Sequence, residues 1–340
     1  MGGREHLKDR SQYGGIDYFR VAAAFLIVAI HTAPFSSWGD LGDTIVTYTL
    51  GRVAVPFFLM TTGYFVLRRQ RERSGRFYRK TLLLYLAATV LYLPVNLYAG
   101  NLPSTLGGAV RAVVLDGTFY HLWYLPAAVL GFFLTSNWWG WWSWRSQRRG
   151  WQAVFAVSLA LYVLGVLGDS WFYLACRFPP LAAFYQELFR FMSYTRNGIF
   201  FAPIFLVLGA WMADRPQRSR GLLWAGLLVS LGLLTAEGYL THALYFQRHS
   251  SMYFSLLPVM VFLFALLRQW KCQAPAILRP LSQWIYILHP LAIIAVRGGA
   301  KVLHLTPLLV GNSMVHYLAV CAASTAAAWA VSVLLARRRG

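Results

Sequence analysis

Acidic side chains are scarce: Asp and Glu together number 11 in 340 residues, and all charged residues amount to 12%. A water-facing surface needs about a quarter of its residues charged, so a soluble globular enzyme is excluded. Cysteine is scarce as well. Cys176, Cys272 and Cys321 stand far apart, which implies neither a disulfide framework nor a metal centre, and no metal is expected. There is no solenoid-type repeat, and the only low-complexity tract is the aromatic stretch Asn137 to Trp144. Tryptophans favour the headgroup layer, so this stretch reads as an interfacial belt where a helix leaves the membrane.

What the chain has is lipid-soluble length. It is 58% hydrophobic with a mean hydropathy of +0.51, and apolar runs of roughly 17 to 25 residues recur from end to end, each long enough to cross a bilayer as a helix. They fall near 16–36, 44–67, 80–99, 120–136, 151–168, 198–213, 220–236, 251–267, 281–297 and 314–336. Backbone in lipid must satisfy its own hydrogen bonds, and runs this long are helices, not barrel strands. The expectation is an all-α integral membrane protein of about ten transmembrane helices. It forms one polytopic domain over 1–340, with a short N-terminus (1–15), a bundle (16–336) and a basic tail (337–340). The first run lacks a small-residue cleavage site and reads as a retained span.

The formal charge of +20 could suggest nucleic acid, but its distribution argues against that partner. Of 31 Lys and Arg, 22 fall in six segments: 1–15, 68–80, 136–150, 213–220, 268–279 and 337–339. These alternate with segments holding Arg111, Arg177, Arg190, Arg196, Arg248, Arg297 and Lys301, which leaves Arg20 and Arg52 inside helices. By the positive-inside rule both termini are cytoplasmic, in a bacterial-type plasma membrane crossed an even number of times. The run Arg68 to Lys80 is first a topology anchor. Its members Arg76, Arg79 and Lys80 also suit anionic lipid or a polyphosphate cofactor.

An ionisable group at membrane depth costs at least about 2.5 kcal/mol, so each is a functional candidate. The first span carries Asp17, Arg20 and His31. Eleven steps at about 100° bring Arg20 and His31 to within about 20° of one face, about 16 Å apart along the axis, with Asp17 on the same stripe. A guanidinium suits a phosphate at the inner end, and an imidazole further out suits proton removal from a hydroxyl or brief carriage of the acyl group itself. The alternative is an Asp17–Arg20 interfacial ion pair and a satisfied interhelical histidine. Arg52 lies at about the depth of His31 and wants an anion, or snorkels to headgroups. Pro56 and Gly63 are expected to bend that helix and open a cavity. His121, Trp123 and Tyr124 begin the fourth span, where an aromatic belt is also expected. Arg196 and Asn197 open the sixth, with Asn197 either a ligand contact or an N-cap. Tyr286 and His289 share a face of the ninth, and His289 could simply bond the carbonyl that Pro290 releases. The long connection 169–197, rich in aromatics, reads as a structured cap or re-entrant piece.

Arg20 to His31, the segment Arg52 to Phe65, His121-Leu122-Trp123-Tyr124-Leu125-Pro126 and Leu288-His289-Pro290 together resemble the membrane-bound acyltransferase 3 family over essentially the whole chain. Stretches such as Gly168 to Phe172, Thr195 to Phe201 and Ser251 to Tyr253 resemble more closely the membrane half of the serine racemases linked to vancomycin resistance. Those carry a racemase domain after the last span. This sequence stops at Gly340, so racemase activity is not carried over. The resemblance implies that acyl-coenzyme A, most simply acetyl-coenzyme A, donates to a hydroxyl of a cell-envelope glycan. It implies Arg20 on the cofactor phosphates or shaping the pore, and His31 as the catalytic base. Arg52, His121, Trp123, Tyr124, Arg196, Asn197, Tyr286 and His289 would line the acceptor side, with Asp17, Arg76, Arg79 and Lys80 near the donor. Membrane lipid is the surrounding partner and a homodimer is compatible. The competing function is export of L-serine or a similar small polar metabolite.

Overall fold

The structure, a computed structural model, describes residues 13–67, 70–142 and 147–337; the side chains of 70–73, 142, 147 and 148 also fall outside the description. Most of the expected N-terminus, Arg68 and Arg69 of the basic run, Ser143 and Trp144 of the aromatic belt and the tail 338–340 lie outside the described residues, as do the side chains of Arg71, Arg73 and Trp142. Every apolar run becomes helix: α1 (Gly14–Thr32), α2 (Ala54–Phe65), α3 (Gln70–Tyr98), α4 (Tyr124–Trp142), α5 (Gln147–Leu167), α6 (Pro179–Phe191), α7 (Ala202–Ala213), α8 (Arg220–Ala243), α9 (Leu256–Gln269), α10 (Leu278–Val302) and α11 (Ser313–Arg337). Among the described residues there is no strand.

Among the described residues seven helical stretches are long and apolar enough to cross a bilayer, against about ten expected: α1, 40–65, 74–98, 149–167, α8, α10 and α11. The difference falls on three elements, each for a local reason. The tryptophans of α4 lower its hydropathy. α7 has 12 residues because Asn197 spends the preceding backbone on a cap. α9 has 14 because Ser251 and Met252 give their N–H groups to Asp169 instead of a helix.

The chain divides into two compact units. The first comprises 1–55, 217–239 and 258–340. Here α1, α10 and α11 pack around Ala24, Val28, Ile285, Ala292, Ile293, Val320 and Ala328. Small residues let the backbones approach, which is how helices associate where lipid removes the hydrophobic drive. Gly14 and Gly15 do the same at the start of α1: a Cβ on Gly14 would meet the backbone and sulfur of Cys272, and one on Gly15 would meet the Leu267 carbonyl and Trp270. Two cross-links set the direction of α10. Arg279 in its first turn binds Asp17 near the start of α1, and His289 further on meets His31 near the end of α1, so the helices run parallel. α11 runs the other way, because its first residue, Ser313, binds the loop after α1: its Oγ donates to the Pro34 carbonyl at 2.8 Å and its N–H to Ser37 Oγ at 2.9 Å. The start of α1 and the end of α11 therefore lie at the same end of this group.

The second unit comprises 56–216 and 240–257. α4 packs against α3, α5 and α7, and α5 against α7. α2 and α7 cross at paired glycines, where a Cβ on Gly63 would strike the Leu206 carbonyl and one on Gly209 the Met60 carbonyl. This corrects the expectation of a bent α2 with a cavity. The helix is continuous from Ala54 to Phe65, Pro56 lies in its first turn where no N–H is needed, and Gly63 makes room for backbone instead of ligand. The connection 169–197 is structured, as a short helix Phe172–Ala175 followed by α6. Tyr185 of α6 anchors it by donating to the Leu164 carbonyl at 2.7 Å, and burial raises its phenol pKa above the usual value, which keeps it a donor.

Candidate functional site

In the first unit, α1 and α10 carry two clusters. At the N-terminal end of both helices, Asp17 is buried and clamped. Arg279 Nε lies 2.9 and 3.0 Å from its two oxygens, Arg279 Nη2 is 2.8 Å from Oδ2, and Arg20 Nε is 3.3 Å from Oδ1. One carboxylate thus faces two guanidinia, leaving the cluster a net cation. Charge-assisted contacts of this kind are short and directional. Arg279 went unnoticed in the sequence because it sits in a basic segment that topology alone explains.

About 16 Å along α1 from Arg20, at the other end of the helix, His31 stacks on His289, ring centroids 5.2 Å apart and planes inclined by 22°. His289 is fully buried and its Nδ1 lies 2.8 Å from the Tyr286 carbonyl oxygen. A carbonyl can only accept, so Nδ1 carries the proton of that bond. The acceptor is available because residue 290 is proline: Tyr286 O is the carbonyl that the N–H four residues on would take, and Pro290 has none. Tyr286 is buried on the same face, 6.4 Å ring to ring. Arg52 turns back on its own segment, with Nε 3.4 Å from the Tyr48 carbonyl and the guanidinium 5.7 Å above the Tyr48 ring.

In the second unit, Arg196 lies over two aromatic faces, 4.4 Å from the Tyr194 centroid and 5.3 Å from that of Trp123. Its Nη1 is 3.4 Å from Ser251 Oγ, which is 2.8 Å from His249 Nδ1. His249 is in turn 4.0 Å from the buried Asp169, whose Oδ1 accepts the N–H groups of Ser251 and Met252 at 2.6 and 2.9 Å. His249, Ser251 and Asp169 were not singled out as site residues from sequence; Ser251 lies 82 residues from Asp169, which hides their meeting. Asn197 acts as a local cap, its Oδ1 accepting from Ile199 and Phe200 N–H and its Nδ2 donating to the Tyr194 carbonyl. His121 is buried edge-on to Tyr92 and Phe119, and Tyr124 faces Phe58. Arg76, Arg79 and Lys80 project from the exposed side of α3. Among the described residues no group of three His, Cys, Asp or Glu is placed to hold a metal.

Long apolar helices with guanidinia, a carboxylate and stacked imidazoles between them define a multi-pass membrane protein with an ionisable site inside its helix bundle. A family model described as an acyltransferase domain matches residues 13–333, and the chain belongs to that family, acyltransferase 3. It is 39% identical over 329 residues to an amino-acid racemase of Enterococcus faecalis, covering 95% of this chain and 45% of that protein. It is 37% identical over 323 residues to a serine/alanine racemase of Enterococcus gallinarum, covering 90% and 44%. The chain thus spans less than half the length of the curated relatives it matches. No solved structure matches it.

Proposed function

We propose that the protein is a plasma-membrane O-acyltransferase that takes an acyl group, most simply acetyl, from acyl-coenzyme A and passes it to a hydroxyl of a cell-envelope glycan. In this reading ten crossings place both termini in the cytoplasm, and the Arg20 end of α1 receives the donor. The observation that carries it is the polarity of α1 and α10: a net-positive Arg20–Asp17–Arg279 cluster at one end, suited to phosphate, and at the other an imidazole pair in which His289 is buried and His31 half-buried, within a family named for acyl transfer. His31 accepts the proton of the acceptor hydroxyl. The oxygen forms its bond to the acyl carbon as the carbon–sulfur bond breaks, and the proton passes on to the departing thiolate. Arg76, Arg79 and Lys80 add cationic surface for phosphate or lipid headgroups. Arg52, Tyr286 and His289 in the first unit, and His121, Trp123, Tyr124, Arg196 and Asn197 in the second, are the residues proposed for contacts with the acceptor.

The test is purified protein with labelled acetyl-coenzyme A, following free thiol and label transfer. His31→Ala is expected to lower turnover at least about a hundredfold, the usual worth of a general base. Equal turnover by the variant removes His31 from this role. The names of the relatives favour one second reading, export of L-serine. Uptake of labelled serine into vesicles containing the protein, with no thioester turnover, would select it.

A further inference from the structure

We infer that His289 is a positioning residue for His31: it fixes the plane of the His31 ring by stacking, and is itself fixed by the carbonyl that Pro290 releases. This rests on the acyl-transfer reading for its kinetic consequence, but the geometry has its own readout.

The argument runs through three residues of α10. Pro290 removes the N–H that would occupy the Tyr286 carbonyl, and His289 Nδ1 fills that acceptor at 2.8 Å. The bond ties an otherwise rotatable ring to the helix backbone and sets its tautomer, with the proton on Nδ1. Full burial holds the ring within packed side chains. The anchored ring then presents a face, 5.2 Å and 22° from that of His31. Contact through a face differs in kind from a hydrogen bond. The N–H bond and the lone pair of a neutral imidazole both lie in its plane, so His289 acts on the face of the His31 ring. His31 stands near the end of α1, where Ala33 adopts a left-handed conformation with φ 48°, and α10 brings the His289 ring against its face. Orientation of a reacting group within about 1 Å is worth up to a hundredfold in rate.

The experiment uses the full chain in detergent or nanodiscs, with three variants that separate ring, anchor and carbonyl. His289→Ala removes both stack and anchor, and is expected to lower kcat for acetyl-coenzyme A by about a hundredfold while KM for the donor stays put. His289→Phe keeps a flat ring and loses the anchor; kcat is expected between wild type and His289→Ala. Pro290→Ala returns an N–H that competes for the Tyr286 carbonyl, and is expected to lower kcat without touching either imidazole. The second readout is 15N NMR of the histidine ring nitrogens, which reports the tautomers of His31 and His289 whatever the activity. Wild type should show His289 as the Nδ1–H form, and Pro290→Ala a mixture. The inference is overturned if His289→Ala keeps kcat with a wild-type melting temperature, if kcat falls only in proportion to folded protein, or if the His289 tautomer ignores Pro290→Ala. Should wild-type protein turn over no thioester, the acyl-transfer reading fails, and the NMR arm decides the positioning: His31 ring resonances that shift in His289→Ala support it, and His31 resonances left unmoved overturn it.

Discussion

Asp17→Asn removes one negative charge while preserving shape. In the native cluster the carboxylate takes three contacts of 2.8 to 3.0 Å from Arg279 and one of 3.3 Å from Arg20. Hydrogen bonds to charged groups contribute about 1.5–3 kcal/mol each, but the Arg279 side chain is 49% exposed, and solvent screening reduces the bidentate pair well below that sum. The expected loss is about 2–3 kcal/mol, or a fall of about 5 °C in melting temperature for a chain of this size. Arg279→Gln in the Asp17→Asn background should cost little more, giving a coupling of about 1–2 kcal/mol in the double-mutant cycle. Kinetics should move the other way. With the carboxylate gone, a donor phosphate meets two uncompensated guanidinia, worth about 0.6–1 kcal/mol at this exposure, so KM for acetyl-coenzyme A should fall about three- to fivefold. Melting by differential scanning fluorimetry and initial rates at varied donor decide it. An unchanged melting temperature would refute the pairing of α1 with α10 through Asp17, and a raised KM would mean that Asp17 itself contacts the donor.

Gly63→Ala puts a methyl against the Leu206 carbonyl and should destabilise by about 1–3 kcal/mol. The Gly63→Ala/Gly209→Ala double variant should cost less than the sum, because one shift of α7 away from α2 relieves both clashes; thermal melting of the three proteins checks this. Asp169→Ala strips two buried backbone N–H groups of their acceptor and should destabilise by about 2–4 kcal/mol. Faster proteolysis confined to the segment around 246–254 is the expected signature.

Helix existence and order were legible because each apolar run is longer than any strand and leaves no alternative in lipid. Helix lengths were not. The shortening of α7 and α9 depends on Asn197 and Asp169 drawing backbone N–H groups out of helix, and the partners of Asp169 lie 82 and 83 residues away. At the site, the Asp17–Arg20 pair and the His289 bond to a released carbonyl were readable, since both are contacts within a single turn. The partners across helices were not. Nothing in the sequence ties Arg279 to Asp17 or His289 to His31, because those contacts follow from the parallel packing of α1 and α10, and that depends on the small residues at their interface. Gly63 misled for the same reason: a glycine that opens a cavity and one that admits a neighbouring backbone look alike until the neighbour is placed.

Helix direction bears on the proposed ten crossings. Two parallel helices that both cross a bilayer must have an odd number of crossings between them. If only the seven long apolar stretches crossed, four would lie between α1 and α10, and the two would run antiparallel, contrary to the Asp17–Arg279 and His31–His289 contacts. In the proposed topology, with all seven crossing, one or three of α4, α7 and α9 cross as well. α4, with 19 residues, is about 28 Å long and reaches across by itself, so α7 and α9 cross together or both stay on one side. The second choice would put Arg215, Arg218 and Arg220 outside, away from the other basic segments, whereas crossing by both returns them to the side of 268–279. The proposed ten crossings agree with both the helix directions and the charge distribution, and in that reading the guanidinium cluster of α1 and α10 faces the cytoplasm.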